Sequence, residues 1–238
     1  YLDWREGLAL AVIPAAVVGI IFFQARDRLT VETASAARLG DLKEMMQQWT
    51  SKTGLALVSM ISIYNMAVMS VLAMATLYIV NDLGFSVFWG GVAFSAMILA
   101  GAVFQPIMGH LSDTMGRRKI FAISLFAAAP LGFAMPFIGS PWVAIGFLIV
   151  MIGAFYGVRS VVLASAVDFA GKREGTTLGL AFTLMDGVGA LGAFLGGWAG
   201  DFDLAYAFAL ASGFAMISGT IALGSTLAFP KIQAEPAE

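Results

Sequence analysis

The sequence predicts an all-α polytopic membrane protein with seven membrane-spanning helices, one standing apart at the front and six following as a block. Three observations predict it. Of the 238 residues, 60% are hydrophobic and only 12% charged, whereas a soluble domain carries about a quarter charged residues. Apolar stretches of roughly twenty residues, the length that a bilayer core about 30 Å thick requires, recur along the whole chain. The lysines and arginines gather in alternate connections between those stretches, as the positive-inside rule expects. The same figures exclude other classes. With no cysteine there is no disulfide framework, thiolate metal site or cysteine nucleophile. A single histidine, His110, leaves no histidine-built metal site, and no metal or cofactor is expected. A net charge of −2 offers no basic face to nucleic acid.

The chain opens on Tyr1 and runs at once into an apolar segment, as a piece of a longer protein would. The first span is about Gly7–Phe23, with Pro14 inside it, so residues 1–23 form one transmembrane helix. Its leading residues are mixed in charge and no cleavage site follows, so it is not a signal peptide. Residues 24–53 make the only long connection. Leu39, Leu42, Met45, Met46 and Trp49 recur there at helical spacing among charged and amide side chains, which predicts an amphipathic helix in a linker. Residues 54–229 hold six further spans: about Gly54–Val80, Val87–Met108, Ile120–Ile138, Val143–Val167, Thr177–Ala199 and Ala205–Phe229. The turns between them are short and rich in Gly, Pro, Asp and Ser, which predicts helical hairpins rather than barrel strands of about ten residues. Residues 230–238 form a polar tail. Arg26, Arg28, Arg38, Lys43, Lys52, Arg117, Arg118, Lys119, Lys172, Arg173 and Lys231 all fall on one side, against Arg5 on the other. That side is the cytoplasmic one. The chain is therefore expected to be multi-pass in a cell membrane, with its C-terminus in the cytoplasm.

Ionisable residues inside spans are few and informative. Arg159 lies eight residues before Val167 and Asp186 nine after Thr177, about 12 and 13.5 Å from the same end at 1.5 Å per residue. A charge left in lipid costs at least about 2.5–3.5 kcal/mol, so both should face the bundle interior or water. Two readings are open. They form an ion pair that holds two helices together, or Arg159 binds a negative or polar substrate while Asp186 carries a proton, its affinity tuned by apolar walls and the nearby arginine. Tyr64 and Asn65, among Ser59, Ser62 and Ser70 in the second span, either offer uncharged hydrogen bonds to a substrate or bond between helices. Tyr156 shares the helical face of Arg159. Gln105 with Pro106 predicts a local irregularity in the third span. Gly192, Gly196 and Gly200 make two successive G-x-x-x-G steps, a face another helix can approach closely.

The most specific motif is the turn from Gly109 to Lys119, Gly109-His110-Leu111-Ser112-Asp113-Thr114-Met115-Gly116-Arg117-Arg118-Lys119. Gly116 permits a tight turn, Asp113 can accept bonds from a helix N-terminus, and the cations hold the turn in the cytoplasm. This G-x-L-x-D-x-x-G-R-R-K run resembles the signature loop of the major facilitator superfamily of secondary transporters. Thr114 departs from the family pattern, which prefers a basic residue there. The resemblance covers the whole chain if the first span is family helix six and the last six are helices seven to twelve. It implies a six-helix bundle of two inverted three-helix repeats preceded by one additional helix. Gly109-x-x-x-Asp113 and Gly197-x-x-x-Asp201, closing the third and sixth spans, are the echo such a repeat leaves.

By the same mapping, Asn65 and Arg159 line a central cavity, with Asp186 nearby. Asp113 engages the region of Thr176 and Thr177, and Arg117 pairs with Asp168, latching the cytoplasmic side. The implied function is alternating-access transport of a small-molecule solute across the lipid bilayer, coupled to protons. An efflux permease for drugs or metabolites and an uptake symporter for an organic anion both fit. The missing N-terminal half of the same protein would be the partner, and no enzymatic activity is implied. A stand-alone half-transporter and a non-transporting seven-helix membrane protein are the alternatives. A retinal protein needs a lysine inside a span, and no span holds one.

Overall fold

The computed structural model describes residues 49–170 and 174–224, Gln47, and positions 16, 17, 19–21, 23 and 24. The side chains of residues 170, 174–178, 180, 181 and 184 lie outside that description. Tyr1–Glu44 and Met45–Glu238 are two separate compact units. Of the first span only positions 16, 17, 19–21 and 23 are described, and they are helical. The predicted linker helix, apart from Gln47 and Trp49, and the tail at 230–238 lie outside the described residues.

Among the described residues the second unit holds six long helices, α1 (Lys52–Leu77), α2 (Val87–Met115), α3 (Arg117–Ala134), α4 (Pro141–Ala170), α5 (Glu174–Gly200) and α6 (Leu204–Gly224), and no strand. Each boundary has a local cause. The Ser51 hydroxyl accepts from the Gly54 amide at 3.1 Å and starts α1; the Ser86 hydroxyl accepts from Trp89 at 3.4 Å and starts α2. Both satisfy an amide that has no partner within the helix. Pro141 opens α4, where its missing N–H costs nothing. The Asp203 carboxylate accepts from the Ala205 amide at 2.8 Å and starts α6. Gly116, at φ +95°, lets α2 turn directly into α3.

Five of these helices, α3 and α1 with their short terminal extensions, are long and apolar enough to cross a membrane. The sixth, α5, has 27 residues, about 40 Å at 1.5 Å per residue. The expected irregularity at Gln105-Pro106 is corrected: α2 is unbroken through Pro106, since membrane helices tolerate an internal proline where neighbouring groups or small local adjustments take up the freed backbone. The irregular turns fall elsewhere, in a π turn over Tyr78–Asp82 that ends α1 and a 3₁₀ turn over Met135–Phe137 that ends α3.

The packing repeats itself. The most extensive contacts are α2 with α4, α1 with α5, α3 with α6, α1 with α6, and α3 with α4. Exchanging α1 with α4, α2 with α5 and α3 with α6 turns this set of pairs into itself. Because α1 and α4 run in opposite directions, the exchange also inverts the helices. The bundle is thus two inverted repeats of three helices. The end opposite the cations carries aromatic pairs, Phe85 with Trp142, Phe88 with Trp89, and Trp198 with Phe202, the belt expected at a membrane–water interface.

Candidate functional site

In an apolar bundle, helices are held by close packing and by side chains that bond to neighbouring backbones. α1 is tied in this way to three neighbours. The Tyr64 hydroxyl donates to the Phe155 carbonyl of α4, and the Asn65 amide to the Met185 carbonyl of α5. The Ser70 hydroxyl donates to Ala207 of α6 at 3.1 Å, and Ser218 of α6 donates to Met60 at 2.7 Å. Tyr64 and Asn65 are both buried. The glycine-rich face of α5 lies on the same helix. A Cβ at Gly192 would overlap the Met66 backbone, and one at Gly196 the Ser70 side chain. Gly200 is looser: there a Cβ would meet only Leu204 at 3.2 Å and the Met74 sulfur at 3.4 Å. Gly189, outside the predicted trio, is as tight against Asn65.

Arg159 sits one turn beyond Tyr156 on α4. Tyr156 lies over Gly101 of α2, with no room for a Cβ between them. Arg159 is partly exposed. Of the two readings for Arg159 and Asp186, the mutual ion pair is not formed; Arg117–Asp168 is the pair seen among the described residues. The reason is helical geometry. Successive residues turn by about 100°, and Met185 and Gly189 occupy the face of α5 that meets α1. Asp186 therefore turns outward and is exposed at mid-helix.

At the cation-bearing end, the turn takes the expected form. The Ser112 hydroxyl donates to the Gly109 carbonyl at 2.7 Å, Gly109 lies beside Ser160, and His110 is exposed. Arg117 pairs with Asp168, tying the start of α3 to the last turn of α4. Arg118 is partly exposed and Asp113 exposed; the side chains of Thr176 and Thr177, expected beside Asp113, lie outside the described residues. Sequence reasoning missed what stands next to this pair. Trp49 stacks edge-on against Phe169, with ring centroids 5.3 Å apart. Nothing in the spacing of the two aromatics signals that contact. The Gly101–Tyr156 contact was likewise unsignalled, although an isolated glycine in an apolar helix is itself a cue for close approach.

A family profile described as Major Facilitator Superfamily matches residues 1–193 and, separately, residues 55–236. Among curated proteins, the uncharacterised MFS-type transporter YfnC of Bacillus subtilis is 34% identical over 96 residues, 40% of this chain and 23% of its own length. The uncharacterised MFS-type transporter YhhS of Salmonella typhimurium is 31% identical over 78 residues, 32% of this chain and 19% of its own. The chain thus covers less than a quarter of the length of these relatives. The inverted repeats, the turn from Gly109 to Lys119 and a profile match spanning most of the sequence agree that this chain belongs to the Major Facilitator Superfamily.

Proposed function

We propose that this chain is the C-terminal half, with helix six, of a secondary transporter that moves a small solute across a cell membrane by alternating access, coupled to protons. Arg159 receives a negative group of the solute, which favours a substrate bearing a carboxylate or similar charge. Asp186 takes up and releases the proton. The observation that carries this reading is that Arg159 is partly exposed and Asp186 exposed at mid-helix, neither with an ion-pair partner among the described residues, while Tyr64, Asn65, Ser70 and Ser218 are all committed to backbone carbonyls. A charge at that depth cannot face lipid cheaply. The faces of α4 and α5 that carry Arg159 and Asp186 therefore meet water or protein, and a solute path between two half-bundles supplies both. Tyr64 and Asn65 serve this site from behind, by fixing α1 against the helices that bear the charges. That YfnC and YhhS are uncharacterised MFS-type transporters points the same way.

The turn from Gly109 to Lys119 acts as a cytoplasmic latch in this reading. Arg117 and Asp168 hold the two repeats together at that end, and Asp113 is free to engage the start of α5. Transport by the intact protein tests the site. Arg159→Ala is expected to abolish uptake or efflux of an anionic solute, and Asp186→Asn to remove its dependence on a proton gradient. Unchanged transport by both variants at equal expression reduces the two residues to structural roles.

A further inference from the structure

We propose that Trp49 is a positioning residue for the Arg117–Asp168 pair, through which the linker preceding α1 sets the state of the latch; the inference rests on the latch reading above. Trp49 is 5% exposed and Phe169 9%, and their rings meet edge to face at 73°. Phe169 directly follows Asp168, and both lie in the last turn of α4, which ends at Ala170. Terminal helical turns fray unless something outside the helix holds them. Here one residue of the turn is held by an aromatic ring from the linker, and its neighbour is held by Arg117 from the start of α3.

The linker side of the contact is also fixed. The Thr50 hydroxyl donates to the Gln47 carbonyl at 3.2 Å, and Ser51 caps α1 two residues after Trp49. A displacement of the linker is therefore passed to Phe169 and so to Asp168. Among the described residues the buried Trp49 indole N–H has no acceptor, which adds nothing to stability and costs desolvation. The ring, not the donor, is what the position uses. Phenylalanine should replace it.

The chain has no cysteine, so one thiol placed at exposed Thr114 reports how open the turn is. In the intact protein, Asp168→Asn is expected to raise the alkylation rate of Thr114→Cys, and Trp49→Ala to raise it by about two- to tenfold, the equilibrium shift one edge-to-face pair supports. The two effects should not add when combined, and Trp49→Phe should behave as wild type. Additive effects, or a Trp49→Ala variant that melts lower with an unchanged alkylation rate, overturn the proposal and leave Trp49 as core packing. If Trp49→Ala does not fold, Phe169→Leu makes the same test from the other ring. Should Asp168→Asn itself leave the rate unchanged, the latch reading falls; should it raise the rate while both aromatic variants do not, only the role of Trp49 falls.

Discussion

Tyr64 shows what a single polar group does inside this bundle. Its ring packs edge-on against Phe121, with centroids 5.7 Å apart, while its hydroxyl is spent on a backbone carbonyl of α4. Tyr64→Phe keeps the ring and deletes the bond, so it should cost about 0.6 kcal/mol, the average of such bonds in membrane bundles. Thermal unfolding in detergent checks this, and transport should be nearly unchanged. A variant of normal stability that does not transport would place the hydroxyl in the solute path. The Arg117–Asp168 pair is the opposite case. Its side chains are 18% and 30% exposed, and pairs open to solvent contribute only about 0–1 kcal/mol. Asp168→Asn should therefore leave the melting temperature nearly unchanged and still slow transport. That pair was legible in the sequence, because the turn motif names Arg117 and Asp168 is the acidic residue ending the fifth span. Arg159 with Asp186 was legible only in depth. Counting residues gives a height along the membrane, but a one-residue shift turns a side chain by about 100°, and Met185 rather than Asp186 faces α1.

Elements are joined here by the absence of side chains as much as by their presence. The steps from Gly192 to Gly200 were readable as a packing face, yet the sequence does not show which helix fills it or how tightly. The structure ranks the positions. At Gly192 a methyl group would overlap the Met66 backbone, which has no rotamer to change, whereas at Gly200 it meets the flexible ends of Leu204 and Met74. Gly192→Ala should therefore cost about 1–3 kcal/mol, the usual range for overpacking a tight site, and Gly200→Ala far less. Equal melting temperatures for the two variants in detergent would contradict the α1–α5 approach described above. The π turn at Tyr78–Asp82 had no signal at all in the sequence, since nothing in that run differs from an ordinary helix end. The tight sites at Gly101 and Gly189 depend on which partner arrives there, which is a property of the assembled bundle. Span positions, by contrast, were legible, because hydropathy and capping residues act locally.

The whole bundle has a direction, and its cations give it, since aromatic belts form at both interfaces. Arg117, Arg118 and Lys119 stand where α2 turns into α3, while Phe85, Trp142, Trp198 and Phe202 gather at the opposite end. The repeats explain why helix directions alone cannot fix this. Exchanging the two triplets of helices maps the bundle onto itself upside down, so the backbone is nearly indifferent to which end faces the cytoplasm. The choice falls to side chains, and cations next to short turns dominate it. Cysteine labelling in intact cells tests the assignment without interference from native thiols in this chain. A membrane-impermeant maleimide added outside should label Ser140→Cys, in the exposed turn before α4, and leave Thr114→Cys unmodified until the cells are opened. The reverse pattern would place the turn from Gly109 to Lys119 outside. It would then remove that turn from any cytoplasmic latch, whatever its ion pair contributes to the fold.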